Sequence, residues 1–310
     1  MSIDRAFEQA FGGWQESRPQ AVAREGAGGP SGVLRVVDDR SGRLGGIRSD
    51  RRVPLRLCVH LRCDGGRIGL TDLRAALVGD VLQRTAEVVG LQVVPVLVVP
   101  ELGSEQAKVL DRAAAALGIH PAVATVGLAQ ARGALGGPAH AHVVAQGADA
   151  GAAPDGEADG EADGVWIAVG HAEGEEGVGE LDGGAAQGLA SGAVDATTVR
   201  LALLARPHGE PARADAGALG EAALALAAWR RQVAGWAQSP SGPVPDELRR
   251  EADAAFATDL DTPAALALLR RVERTGSLAE GVRFETFVLV DRVLGLELAR
   301  DIALVGQRRE

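Results

Sequence analysis

Cys58, His60 and Cys63 fall within one six-residue stretch and form the densest group of soft donor side chains in the chain. Thiolate and imidazole are the donors that zinc and related metals prefer. Cys58 and His60 share one face of a strand by its period of two, whereas Cys63 lies past the strand end. A structural zinc needs four ligands, and no second cysteine pair exists. His120, His140, His142 and His171 are the remaining nearby donors by sequence. The competing account is packing alone: a small buried thiol beside half-exposed imidazoles. A second candidate is the glycine-rich turn Gly65–Gly69, between a strand and a helix, where a helix N-terminus can meet an anion. It is not G-x-G-x-x-G, so a turn without a ligand competes with that reading. Asp155-x-Glu157-x-Asp159-Gly160 opens like a calcium loop, but Trp166 stands where the twelfth-position Glu belongs, and a solvated linker is expected instead.

Composition removes further chemistries. The chain has 310 residues and a single lysine, Lys108, so no Gly-Lys-Ser/Thr phosphate loop exists. Schiff-base chemistry would fall on Lys108, in a segment with no other site signal. Two cysteines five positions apart make no disulfide framework. No run approaches the roughly 18 apolar residues of a membrane span, and the start MSIDRAFEQAFGGW has no apolar signal-peptide core, so a cytoplasmic protein is expected. The net charge of −10 is concentrated: between Gly133 and Val199 there are 12 acidic residues and no Lys or Arg. No basic stripe suited to nucleic acid is present.

The elements that must position these residues follow from periodicity. Residues 1–32 are Gly, Ala, Pro and Arg rich and are expected to form a mobile arm, after a short helix at Arg5–Trp14. Leu34–Val37 and Leu55–Leu61 read as strands, Thr71–Val89 as a helix and Leu91–Val99 as a strand buried on both faces. Ser104–Leu117 reads as a helix stopped by Gly118. This βαβα order predicts a parallel sheet. From Gly133 the pattern dissolves, and Gly147–Gly164, with its repeated GEAD, reads as an acidic disordered linker. Val165–Val169 is one more strand. From Asp195 the chain reads as helical: Leu219, Leu226 and Val233 share a face with Ala222, Trp229 and Trp236. Asp261 and Pro263 cap a helix reaching Arg274, and Phe284–Leu294 is the last, ending at Gly295. The fold class expected is α/β, a parallel sheet followed by an α-helical bundle.

Several of these stretches resemble class I cysteinyl-tRNA synthetases and the related mycothiol-pathway cysteine ligase. Cys58 stands nine residues before Arg67-Ile-Gly-Leu70, where that family has a cysteine nine residues before its HIGH motif. Gly79-Asp-Val-Leu-Gln-Arg84 is similar to the Phe-Asp-Val-Leu-x-Arg of the following helix. Further on, Asp195–Ala205 resembles the ligase segment DPAAIRLALLA, Leu226–Arg231 and Ala257–Leu266 its next helices, and Asp291–Leu296 its closing segment. The resemblance covers roughly residues 33–117 and 164–298. It implies a division into an N-terminal arm (1–32), the first part of a Rossmann-like catalytic domain (33–146), the acidic linker (147–164), a catalytic remnant (165–194) and a helical bundle (195–310).

The resemblance also implies ATP and cysteine as ligands, with adenylation of the cysteine. The nucleotide-binding HIGH positions hold Arg67, Ile68, Gly69 and Leu70, so both histidines are replaced. The KMSKS loop, which supplies lysine charge to the triphosphate, falls on Glu176, Gly177, Val178, Gly179 and Glu180. Losing one preorganised donor to a developing anion costs about 3 kcal/mol. Four positions have changed and the loop charge has reversed, so little or no activity is expected. Cys58 matches one ligand of the family's zinc; the Trp-His-x-Glu-Cys segment and histidine pair that complete that set are missing, which argues against zinc. Transfer RNA is not expected, because nothing after Leu298 corresponds to an anticodon-reading extension. Two other readings stay open: an active ligase of altered chemistry that uses Arg67 for phosphate, and a protein-binding module that docks through the Trp229/Trp236 stripe.

Overall fold

The computed structural model describes residues 34–47, 52–146, 164–174 and 184–302. The expected arm (1–32), nearly all of the acidic linker (147–164) and the loop positions Glu176–Glu180 lie outside these residues.

Five parallel strands form the central sheet, in the order β5-β4-β3-β6-β7. They are β3 (Leu55–His60), β4 (Val93–Val98), β5 (Ala124–Val126), β6 (Ala141–Ala145) and β7 (Val165–Val169). The order doubles back at β3, so β3 and β6 flank a topological switch point, the usual location of a ligand crevice in open α/β sheets. Helix α1 (Leu70–Val88) crosses from β3 to β4, and α2 (Ser104–Ala116) from β4 to β5. Both lie on the face carrying Leu55, Leu57 and Val59, which belong to the main apolar core. α3 (Leu128–Leu135) covers part of the other face, where Cys58, Val96 and Val98 pack with Ala131, Leu135 and Ala139. Alternation along β3 therefore sends Cys58 and His60 away from α1, as the period of two requires. This is the parallel α/β architecture that the periodicity predicts, in the Rossmann-like form that the resemblance implies.

Two parts depart from expectation. The region after Gly133, where the pattern dissolves, contains β6, and the preceding α3 and β5 also carry no clear periodic signal. β6 is only five residues, Ala-His-Val-Val-Ala, and is held by parallel pairing to β3 and β7 rather than by a long apolar run. The outer edge of the sheet is closed by a hairpin of β1 (Arg35–Asp38) and β2 (Arg43–Gly46). The Asp39 N–H donates to the Trp166 carbonyl (2.8 Å), and the Trp166 N–H to the Asp38 carboxylate (3.0 Å).

A two-residue pairing of β8 (Ala172–Glu173) with β9 (Ala212–Arg213) follows β7, and helices make up the rest. α4 (Ala185–Ser191) packs on α2. α5 (Ala196–Leu204), α6 (Ala216–Trp236), α7 (Asp246–Ala257), α8 (Thr262–Arg274) and α9 (Glu280–Leu294) form the helical region. The capping chemistry is as the sequence predicts. Asp195 and Asp261 accept the N–H groups of Thr197 (3.1 Å) and Ala264 (2.9 Å), and Gly295 ends α9 at φ +61°. Trp229 and Trp236 both pack edge-on against Phe287 inside this region, and the Trp229 indole donates to Glu273 (2.9 Å). The tryptophan stripe is internal, so it offers no docking surface. One continuous apolar cluster runs from the sheet into the helices. Among the described residues no helix is long and apolar enough to cross a membrane.

Candidate functional site

Two groups of chemically capable residues flank the switch point. The first is the turn from β3 into α1. Asp64–Gly66 form one turn of 3-10 helix, with Gly65 at φ +62° and Gly66 at φ +76°. The space around both glycines is open, since a Cβ on either would meet nothing within 4 Å. Arg67 is exposed just after this turn, Ile68 is buried, Gly69 is the N-cap of α1 and Leu70 its first helical residue. The four positions expected to hold nucleotide thus lead into a helix N-terminus, as an anion site requires.

Five backbone donors around that turn are already engaged. Buried Asp72, the third residue of α1, accepts the backbone N–H groups of Arg62 (2.8 Å), Cys63 (3.3 Å) and Gly69 (3.0 Å). The N–H groups of Gly66 and Arg67 close the turn on Cys63 and Asp64 (2.8 and 3.1 Å). A carboxylate of the chain's own thus sits at the entry to the helix. Burial pushes the Asp72 carboxyl above its ordinary range, against the lowering effect of those three N–H bonds. Sequence reading passed over Asp72, although an acidic residue three after a helix N-cap is a recognisable self-capping signal.

On the other side of the crevice, Thr71 Oγ1 meets His171 Nδ1 at 3.0 Å and accepts the Ala172 N–H at 3.0 Å. His171 Nε2 lies 3.6 Å from Glu173. β8, which precedes the loop positions Glu176–Glu180 in sequence, is therefore tied to the start of α1. Beneath it the fully buried Arg74 donates to the carbonyls of Gly170 (2.9 Å), Pro207 (2.8 Å), Arg206 (3.4 Å) and Glu210. Backbone carbonyl dipoles supply all of its hydrogen bonds found among the described residues, and the nearby Glu210 carboxylate adds Coulombic support.

The second group lies on the sheet face away from α1. Register sets Cys58 opposite His142 and His142 opposite Trp166. Cys58, His60 and His142 bring their ligand atoms within 4.8 Å of one another. His60 Nε2 and His142 Nδ1 are 3.0 Å apart, and His142 stacks on Trp166 with ring centroids 4.1 Å apart. The Arg40 guanidinium covers the other face of Trp166 at 3.9 Å. Burial, then the neighbouring His142, pushes His60 down to about 4; burial, then Arg40, does the same to His142. Burial pushes the Cys58 thiol up to about 12. Cys63 belongs to the opposite, α1-facing core, and His120 and His171 are bound elsewhere. Of the soft donors read from the sequence, the fold brings together Cys58, His60 and His142, and leaves Cys63 out.

A buried charge network joins the sheet to the helices. Asp80 of α1 binds Arg200 of α5 (2.6 Å), Arg84 (2.8 Å) and His120 (2.7 Å). Arg200 also donates to the carbonyls of Leu117 (2.7 Å) and Leu294 (2.6 Å), and Asp291 accepts the N–H groups of Leu296 and Leu298.

No protein-family model matches the chain. Two curated proteins match part of it. The L-cysteine:1D-myo-inositol 2-amino-2-deoxy-alpha-D-glucopyranoside ligase of Streptomyces griseus subsp. griseus is 37% identical over 109 residues, which is 34% of this chain and 26% of that protein. The ligase of the same name from Beutenbergia cavernae is 40% identical over 81 residues, 26% of this chain and 18% of that protein. Part of this chain is similar to cysteine ligases. The matched stretches span about a quarter of the first relative's length and less of the second's.

Proposed function

We propose that this chain is a cysteine-ligase-like protein of the class I synthetase type that no longer adenylates cysteine. The observation that carries this reading is the contrast between its framework and its helix start. The side chains that resemble the family serve packing: Asp80 pairs with both Arg84 and Arg200. At the start of α1, where the resemblance puts ATP phosphates, the buried Asp72 carboxylate takes the N–H groups of Arg62, Cys63 and Gly69, and the turn itself takes those of Gly66 and Arg67. A phosphate there would meet that carboxylate in a partly desolvated position, where like-charge repulsion is weakly screened. A helix N-terminus favours an anion by about 0.3–1 kcal/mol, and Asp72 already draws that benefit. The acidic residues Glu176 and Glu180 in place of lysines act in the same direction.

Cysteine-dependent ATP–pyrophosphate exchange tests the proposal directly. No exchange above buffer background is expected, and exchange that rises with protein and cysteine concentration would overturn it. One observation favours the second reading, a ligase of altered chemistry. Arg67 is exposed beside the open glycine turn, and among the described residues no hydrogen bond or ion pair of its side chain is found. That reading requires calorimetric binding of ATP or AMP that is lost in Arg67→Ala.

A further inference from the structure

We propose that Cys58, His60 and His142 form a three-ligand site for a borderline-soft dication of the zinc(II) class on the sheet face opposite α1. Only Cys58 of these three coincides with the metal set that the family resemblance implies; His60 and His142 join it through strand alternation and β3–β6 pairing. The inference does not rest on the ligase-like reading.

Three features of the cluster carry the inference. The donors are a thiol and two imidazoles, the set that zinc, cobalt and copper favour over harder ions. Their ligand atoms lie within 4.8 Å, and the two imidazole nitrogens at 3.0 Å. A tetrahedral zinc with bonds of about 2.0–2.3 Å spaces its ligands roughly 3.3–3.6 Å apart, so closure takes shifts of about an ångström. Finally, the site is built rather than incidental. His60, His142 and Trp166 stack on one another in a closed triangle of rings, and His142 Nε2 is buried without a partner among the described residues.

The proton count closes simply. On binding, the Cys58 thiol proton leaves to solvent as the metal–sulfur bond forms. The proton shared between His60 and His142 moves to a ring nitrogen that the metal does not use. Three protein ligands leave a fourth position for water or another small ligand, as in zinc sites that do chemistry rather than bracing.

The test uses the full chain, stripped of metal and titrated with cobalt(II). Saturation at one cobalt per chain is expected, with intense tetrahedral d–d bands and a thiolate-to-cobalt charge-transfer band. Zinc(II) should erase both by displacement. Cys58→Ser should abolish the charge-transfer band, and Cys63→Ser should leave it intact. His142→Gln should weaken binding by more than the roughly 10–100-fold that loss of an outer-shell partner costs. Weak six-coordinate spectra in the wild-type protein would overturn the site, and so would a charge-transfer band that survives Cys58→Ser and vanishes in Cys63→Ser. The wild-type titration decides the matter even where a ligand variant fails to fold.

Discussion

Asp80 in α1 and Arg200 in α5, 120 positions apart, meet at 2.6 Å with both side chains essentially removed from solvent. This pair ties the helix that leaves the sheet's central strand to the first long helix beyond the acidic region. Arg200 then reaches the last turns of α2 and α9 through two carbonyl oxygens, so one guanidinium fixes four elements.

Removing the acid of this pair strands buried charge. Asp80→Asn is expected to destabilise the protein by about 3–5 kcal/mol in denaturant unfolding, the usual result of leaving one member of a buried pair uncompensated. Burial alone would raise the Asp80 carboxyl, but the charges of Arg200 and Arg84 outweigh it and hold the group below the usual carboxylate range. A depressed acid contributes stability that is full above its unfolded value, near 3.9, and fades as pH falls through the folded value. Wild-type stability should therefore drop on acidification more steeply than that of Asp80→Asn. Asp291, raised by burial, has the opposite slope in both proteins, so the difference between them is the quantity to measure. Parallel pH profiles would contradict the assignment.

Arg74 presents a different buried cation, hydrogen-bonded to backbone carbonyls rather than to a carboxylate. Arg74→Lys keeps the charge but loses the planar fork that reaches Gly170, Pro207 and Glu210 at once. A loss of about 2 kcal/mol or more is expected, since hydrogen bonds to charged groups contribute about 1.5–3 kcal/mol. Amide exchange in the 206–210 segment should accelerate beyond the global change. A fully tolerated lysine would show that the carbonyl cradle is incidental.

Helix propensity and packing disagree at Gly79. Alanine there should gain about 1 kcal/mol in an isolated helix. In the fold its Cβ would stand 2.6 Å from Val59 Cγ2, and overpacking of that kind costs about 1–3 kcal/mol. Gly79→Ala is expected to lower the unfolding midpoint, and Val59→Ala on top of it to recover part of the loss as a favourable coupling energy. A stabilised single variant would mean that α1 sits further from β3 than 2.6 Å implies.

The thiols make a simple probe of the core. Burial pushes both Cys58 and Cys63 up to about 12, with Asp72 and Asp64 adding to the effect at Cys63. Neither should react with an aromatic disulfide reagent at pH 8 in the folded protein, and both should react once it is unfolded. Rapid native labelling of either would show that its surroundings open.

Much of the scaffold is readable from the residues because its apolar periods are long. Leu55–Leu61, Thr71–Val89 and Leu91–Val99 announce a strand, a helix and a strand, and the structure places all three within two residues of those bounds. β6 gives no comparable signal. It is short, contains His142 at an alternating position and owes its existence to two neighbouring strands. The candidate metal cluster is half readable for the same reason. Cys58 and His60 share a face by local alternation, but only the register of β3 on β6 selects His142 rather than His120, His140 or His171.

By itself the sequence determined the composition-level facts: one lysine, concentrated acidity, and the alternation of strands and helices that leads to a parallel sheet. Those follow from residue type and local period, which need no partner. Tertiary structure decided which side chains meet. It closed Asp72 over the N–H groups of the β3–α1 turn, turned the tryptophan stripe inward against Phe287, and set an imidazole from β6 beside Cys58 and His60. Each outcome depends on strand pairing, or on a contact between parts that local periodicity does not relate, and only the packed fold supplies it.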